Sequence, residues 1–236
     1  MFKYFCVLCL LISIGKPSIA YSREQGDKVL YQEFLGKRLY TTKKAIDVLK
    51  ATDKYNRTLI VVELGTSRSF RSGYIESNPK MFNPLKPKTW DWGAGLFTKV
   101  IVDNLVDNDY LLYSIDPDDN ALAVAKHLVG SDRHTRIKKD FSTNFLKNFQ
   151  GKIDLLYMDH AESSESACQL HLEDAKLIVE RGLIADSGMI LVDDANYPSY
   201  KNSKGKYSIP YLLNSGFEII SSGYQVLLQK SHSKAT

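Results

Sequence analysis

Four apolar runs in this chain each end on a carboxylate: Leu59–Glu63, Tyr110–Asp116, Ile153–Asp159 and Met189–Asp194. A fifth, weaker run ends at Arg136–Asp140. Core packing excludes an ionised acid, so a carboxylate repeatedly placed at the end of an apolar run faces a ligand, a metal, or both. The densest group is Asp159-His160 with Asp193-Asp194-Ala195-Asn196. Asp159, Asp193 and Asp194 converging at one point would repel strongly unless a cation lay between them. A purely oxygen donor set suits Mg²⁺, with Ca²⁺ or Mn²⁺ as alternatives. Zinc is disfavoured, because His160 is the only softer ligand nearby in sequence. The competing reading is that these acids cap helices and that one of them keeps its proton.

A second group of residues suits a nucleoside. In Glu63-Leu64-Gly65-Thr66-Ser67, Gly65 lets backbone approach a ligand, while Thr66 and Ser67 offer hydroxyls and amides. An ordinary strand-exit turn would read the same way. Asp116, in Ser114-Ile115-Asp116-Pro117, stands where an acid can accept both hydroxyls of a ribose. Asp140 stands where one can approach a nucleobase amine. Helix capping is the alternative for both.

These acids need elements that carry them to one edge. Short, continuous, β-branched runs separated by helix-length segments are the pattern of a parallel sheet buried on both faces. The expected strands are Thr58–Leu64, Tyr110–Ile115, Arg136–Lys139, Ile153–Met158 and Met189–Val192. The expected helices run from Thr41 or Thr42 to about Ala51, then Gly95–Val106, Asp118–Val129, Thr143–Phe149 and Ser164–Arg181. Phe217–Ser221 and Tyr224–Lys230 flank Ser222-Gly223, a two-residue hairpin signal. The fold class is therefore α/β, a Rossmann-like doubly wound and mostly parallel sheet with an antiparallel C-terminal hairpin. In such sheets ligands bind outside the carboxyl ends of the strands. Ser67–Gly95, with Pro79, Pro84 and Pro87, reads as a loop inserted at the mouth of the site. Its Trp90 and Trp92 either cover a bound ligand or anchor the loop in a small core of its own.

With 236 residues, the chain suits one full domain with short appendages. The net charge is +4, and nothing resembles the basic stripe with interleaved aromatics that grips nucleic acid. Lys3, the apolar stretch Tyr4–Ile14 and the small residues up to Ala20 read as a secretory signal peptide cleaved after Ala20. Export to a periplasm or the exterior is expected; an uncleaved membrane anchor is the alternative. Cys6 and Cys9 fall in that segment, leaving Cys168 as a buried structural thiol with no partner for an intrachain disulfide. The expected organisation is a signal over 1–20, an arm over 21–41, a domain over 42–230 with its insertion at 67–95, and a tail over 231–236.

The order ELGTSRS, YSIDPD, KIDLLYMDHA and SGMILVDDAN resembles a class I S-adenosylmethionine-dependent methyltransferase over about residues 42–230. Asp159-His160 and Asp193-Asp194 are similar to the metal motifs of the catechol O-methyltransferase group. The resemblance implies that Glu63, Gly65, Thr66, Ser67, Asp116 and Asp140 hold S-adenosylmethionine, and that Asp159, Asp193 and Asp194 hold the metal. His160 would line the site, and Glu162 occupies the position of that group's lysine base; either is a candidate proton acceptor. The implied activity is metal-assisted O-methylation of a small molecule. S-adenosylmethionine is made in the cytoplasm, so export leaves two alternatives open: a secreted ligand-binding protein on the same fold, and a metal-dependent hydroxylase-like enzyme.

Overall fold

The computed structural model describes residues 35–52, 57–66, 97–199 and 203–231. The expected signal segment, residues 21–34 of the arm, and the inserted loop with Ser67, Trp90 and Trp92 lie outside the described residues.

Seven strands form one sheet in the order β3-β2-β1-β4-β5-β7-β6. They are β1 Leu59–Leu64, β2 Tyr110–Asp116, β3 Thr135–Lys139, β4 Ile153–Met158, β5 Ile184–Val192, β6 Phe217–Ser222 and β7 Val226–Lys230. The first five run parallel, and β7 is antiparallel to both β5 and β6. Because β1 pairs with β2 on one side and β4 on the other, the chain reverses its winding between β1 and β4. Ligands bind at such a switch point.

The helices are α1 Leu39–Thr52, α2 Phe97–Asn104, α3 Asp119–Val129, α4 Ser142–Asn148, α5 Glu165–Glu180 and α6 Ser208–Asn214. Successive strand residues point to opposite faces, which sorts the core into two layers. Val62, Leu64, Leu156, Met158, Ile190 and Val192 pack with Phe145 and Leu146 of α4, Ile178 of α5 and Leu212 of α6. Leu59, Val61, Leu112, Leu155, Tyr157 and Leu191 pack with Ile46 and Leu49 of α1 and Phe97 and Ile101 of α2. Covering both faces removes water from the strand interiors, so a polar side chain there must find its partners within the protein.

Four elements differ from expectation. A 3-10 turn over Gly36–Arg38 leads into α1 at Leu39, so Thr41 and Thr42 lie inside the helix and are buried instead of capping it. β5 starts at Ile184, because the chain passes Gly188 with a shift in register against β4. The helix α6 was not anticipated; Pro210 lies in its first turn, where a missing N–H costs no intrahelical bond. The hairpin turn is Gly223–Gln225, closed by Gly223 N–H donating to Gln225 O at 2.9 Å, so Tyr224 and Gln225 leave the strand.

After β1 the backbone takes φ +86° at Gly65, where an added Cβ would lie 2.6 Å from the backbone Cα and N of His160. Gly65 is thus required by the close crossing of two loops at the switch point, whatever ligand also approaches it. Gly65→Ala is expected to destabilise the protein by about 2 kcal/mol or more, read as a lowered urea midpoint. An unchanged midpoint would mean that the two loops are not packed in this way.

Candidate functional site

Glu63 and Ser114 are opposite each other across β1 and β2 and face α2. Glu63 is fully buried, and its Oε2 accepts hydrogen bonds from Ser114 Oγ at 2.5 Å and from Thr98 Oγ1. Its Oε1 has no hydrogen-bond donor among the described residues. Burial, only partly offset by these hydroxyls, pushes the carboxyl up to about 7. Asp116, at the end of β2, accepts from Thr66 N at 3.1 Å through Oδ2 and from Asp118 N at 2.8 Å through Oδ1. It therefore ties the β1 exit loop to the start of α3. Asp140, following β3, accepts from Phe141 N at 2.9 Å and Asn144 Nδ2 at 2.6 Å just ahead of α4, whose N-cap position is Phe141 and carries no side-chain cap bond. Phe141 beside it is 67% exposed.

On the other side of the switch point Asp159, Asp193 and Asp194 converge, with one oxygen of each within 4.8 Å of the others. Two-residue alternation turns Asp159 and Asp193 to the same face as Tyr157 and Leu191, under α1. The structure fills this cluster with cations that were not anticipated. Arg38, buried just ahead of α1, donates Nε to Asp193 Oδ1 at 2.9 Å and Nη2 to Oδ2 at 2.7 Å. Its guanidinium lies 4.8 Å from the centre of the Tyr224 ring. Lys204 Nζ donates to Asp159 Oδ1 at 2.8 Å and lies 3.2 Å from Asp194 Oδ2. Gln225 Nε2 donates to Asp193 Oδ1 at 2.8 Å, and Gln225 Oε1 accepts from Thr41 at 2.5 Å and Thr42 at 3.1 Å. Tyr157 donates to Asp159 Oδ2 at 3.1 Å, and Tyr224 donates to Asp194 Oδ1.

These contacts decide the charge states. Burial works against ionising Asp193, but the Arg38 hydrogen bonds and charge outweigh it and hold the carboxyl below its usual range. Asp159 is pushed well above that range, by burial first and then by the negative charge of Asp193. Burial opposes the charge on Lys204, yet Asp159 and Asp194 raise its ammonium above the ordinary lysine value. The donor set does not fit a divalent cation as it stands, since the carboxylate oxygens already have partners.

His160 does not face the acids. Its ring stacks on His171 of α5 at 4.2 Å, with Nε2 2.8 Å from Asp174 Oδ2 though out of line for a hydrogen bond. Burial, and then the charge of Lys204, lower its pKa to about 3, so the imidazole is neutral. Glu162 is exposed in the loop between β4 and α5. Neither residue joins the buried acid cluster. Cys168 is buried on α5, donating to Ser203 O at 3.1 Å. Among the described residues, the non-glycine positions with positive φ lie in the loops after β4 and β5: Ala161 at 64°, Asp194 at 48° and Asn196 at 49°. Such backbone persists where surrounding contacts over-determine it, and here Ala195 N and Asn196 N both donate to Tyr224 O. A separate cavity of about 520 Å³, lined by Lys99, Asp103, Tyr110 and His134, lies at the opposite end of the sheet.

Residues 92–195 match a family model described as a methyltransferase domain. No curated protein matches the chain in sequence. Among solved structures, a Corynebacterium glutamicum protein is similar with a TM-score of 0.55 at 13% identity, covering 91% of this chain and 91% of its own. The methyltransferase PaMTH1 of Podospora anserina, solved with S-adenosylhomocysteine, has a TM-score of 0.55 at 12% identity, covering 90% and 88%. The O-methyltransferase NovP has a TM-score of 0.55 at 10% identity, covering 82% and 80%. At such identities the likeness establishes the fold. The middle of the chain is thus similar to a methyltransferase domain, and the sheet has the fold of solved S-adenosylmethionine-dependent methyltransferases.

Two outcomes follow from the buried charges. Arg38→Met leaves Asp193 without its cation and is expected to cost about 3–5 kcal/mol in chemical denaturation. Arg38→Met with Asp193→Leu should recover most of that loss; a single variant as stable as the wild type would remove the pair from the argument. For Glu63 the folded pKa, about 7, lies above the ordinary 4.5, so its contribution is fully present below pH 4.5 and lost as pH rises through about 7. Glu63→Gln is therefore expected to flatten the stability profile across that window by about 3 kcal/mol. Parallel wild-type and variant profiles would show that the carboxyl ionises normally.

Proposed function

We propose that the chain transfers a methyl group from S-adenosylmethionine to an oxygen of a small-molecule acceptor. The cofactor would lie along the β1–β2 side of the switch point and the acceptor on the β4–β5 side. The observation that carries this reading is Glu63 Oε1, a fully buried acceptor with no hydrogen-bond donor among the described residues, beside a loop that Asp116 holds in position. An unsatisfied buried acceptor is costly, and a ligand ammonium or hydroxyl arriving from the switch point would relieve it. Asp116 supplies acceptor oxygens for a ribose at the end of β2, and Asp140 with the exposed face of Phe141 offers an amine acceptor and a surface on which a base can stack. PaMTH1 was solved with S-adenosylhomocysteine bound, which supports the same choice of ligand here.

The cofactor supplies a methyl on a sulfonium, already activated for displacement by an in-line nucleophile. The residues of this chain then have to bind, align and exclude water. Glu63, Gly65, Thr66 and Asp116 set the donor's position, while the β4 and β5 exit loops, held rigid by the cluster around Asp193, would form the floor under the acceptor. His160 is neutral and packed on α5, so the proton of the acceptor hydroxyl is not routed through it in this proposal. The O-methyltransferase NovP shares the fold, which favours oxygen over other acceptor atoms. Assistance by Mg²⁺, Ca²⁺ or Mn²⁺ would require Lys204 and Arg38 to give up the contacts they make with the three acids.

Calorimetric titration with S-adenosylhomocysteine tests the reading. Saturable binding is expected, weakened about tenfold or more by Asp116→Asn, which removes the charge that accepts the ribose hydroxyls. Absence of binding to the folded wild type would overturn the proposal.

A further inference from the structure

The acid cluster on the β4–β5 side has a donor for every carboxylate oxygen. Asp193 Oδ1 accepts from Arg38 Nε at 2.9 Å and Gln225 Nε2 at 2.8 Å, and its Oδ2 accepts from Arg38 Nη2 at 2.7 Å and Nε at 3.1 Å. A carboxylate oxygen has about two lone-pair directions, so Asp193 has none left for a metal. Asp159 and Asp194 each give one oxygen to a tyrosine hydroxyl and the other to Lys204.

Lys204 stands at the centre of what remains. Its side chain is 3% exposed. An ammonium has three protons to donate, and three oxygens surround Nζ: Asp159 Oδ1 at 2.8 Å, Asp159 backbone O at 3.2 Å and Asp194 Oδ2 at 3.2 Å. These are N–H···O lengths; a bound Mg²⁺ would draw the same oxygens in to about 2.1 Å and Ca²⁺ to about 2.4 Å. The ammonium is also fixed from its own backbone: a Cβ at Gly205 would lie 2.4 Å from Ile209 Cδ1, so the segment carrying Lys204 is packed tightly onto the first turn of α6. Two cations already face the three acids here, and burial pushes one of those acids, Asp159, toward its neutral form, so a divalent ion added to both cations would leave an excess of positive charge in a largely buried site.

We propose that Lys204 is the resident cation of this cluster, its ammonium standing between Asp159 and Asp194 where a divalent ion bridging the three acids would stand, so that this edge is built as a metal-independent site. The proposal builds on the methyltransferase reading only for its consequence, because the lysine removes the need for a metal beside the acceptor.

Mn²⁺ is the probe, followed by calorimetry and by the loss of free Mn²⁺ signal in electron paramagnetic resonance. Wild-type protein is expected to show no saturable uptake up to about 100-fold above the micromolar affinities common for sensor-type oxygen sites. Lys204→Ala frees two acids and is expected to gain one saturable Mn²⁺, with a melting temperature that rises on adding the ion. Adding Asp159→Asn to that variant should abolish both effects. Saturable uptake by the wild type that disappears in Asp159→Asn overturns the proposal, and that arm does not depend on the lysine variant folding. A folded Lys204→Ala that takes up no Mn²⁺ overturns it as well. Titration with S-adenosylhomocysteine is read separately, so failure of the methyltransferase reading and failure of this one are distinguishable.

Discussion

Asp193 is fully buried and charged, and a buried carboxylate has to be compensated from within the protein. That constraint organises the β4–β5 half of the sheet edge. Arg38 reaches it from the turn preceding α1, 155 residues away in sequence. Gln225 reaches it from the hairpin turn, and the Thr41 and Thr42 hydroxyls hold the far end of that amide. Asp194 and Asp159 then share Lys204. A single buried charge thus ties together the start of α1, the exits of β4 and β5, the approach to α6 and the β6–β7 turn.

The two halves of the edge treat buried acids differently, and the difference bears on chemistry. Glu63 is surrounded by neutral hydroxyls, which stabilise a carboxylate weakly, so its proton affinity rises and one oxygen stays unmatched. An incoming ligand has something to gain there. The cluster around Asp193 is matched with charged donors in close geometry, and an incoming ion would have to replace bonds already made. A responsive half therefore lies next to a rigid one across the switch point. That division suits the methyl transfer proposed above, in which one substrate is exchanged at every turnover and the reacting atoms need a fixed frame.

The sheet and its acids were legible because they follow from periodicity and hydrophobicity. Continuous runs such as Ile153–Met158 have few alternatives to a doubly covered strand, and a carboxylate at the end of one is conspicuous. The partners of those acids carried no such mark. Arg38 lies in Gly36-Lys37-Arg38 and Lys204 in Ser203-Lys204-Gly205-Lys206, irregular stretches where a basic residue ordinarily reads as solvated surface. Thr41 and Thr42 resembled caps because hydroxyls favour caps, but their role depends on Gln225, 184 and 183 residues away. The orientation of His160 was equally hidden. Its neighbours on α5, His171 and Asp174, come from an amphipathic helix whose buried polar positions cannot be told from exposed ones without knowing which face meets the sheet.

Motif likeness therefore transfers residue types more safely than residue states. The stretch that matches a methyltransferase domain, 92–195, contains Asp116, Asp140, Asp159, Asp193 and Asp194. It contains neither Arg38 nor Lys204 nor Gln225, the groups that decide what the last three acids do. Whether an acid cluster holds a metal is a property of its whole charge environment, and in this chain that environment is assembled from segments on both sides of the motif. Three converging carboxylates alone would draw a hard cation strongly. With a guanidinium saturating one and an ammonium bridging the other two, the same acids serve as structural counter-charges, and the edge gains rigidity at the site where a metal would otherwise have supplied it.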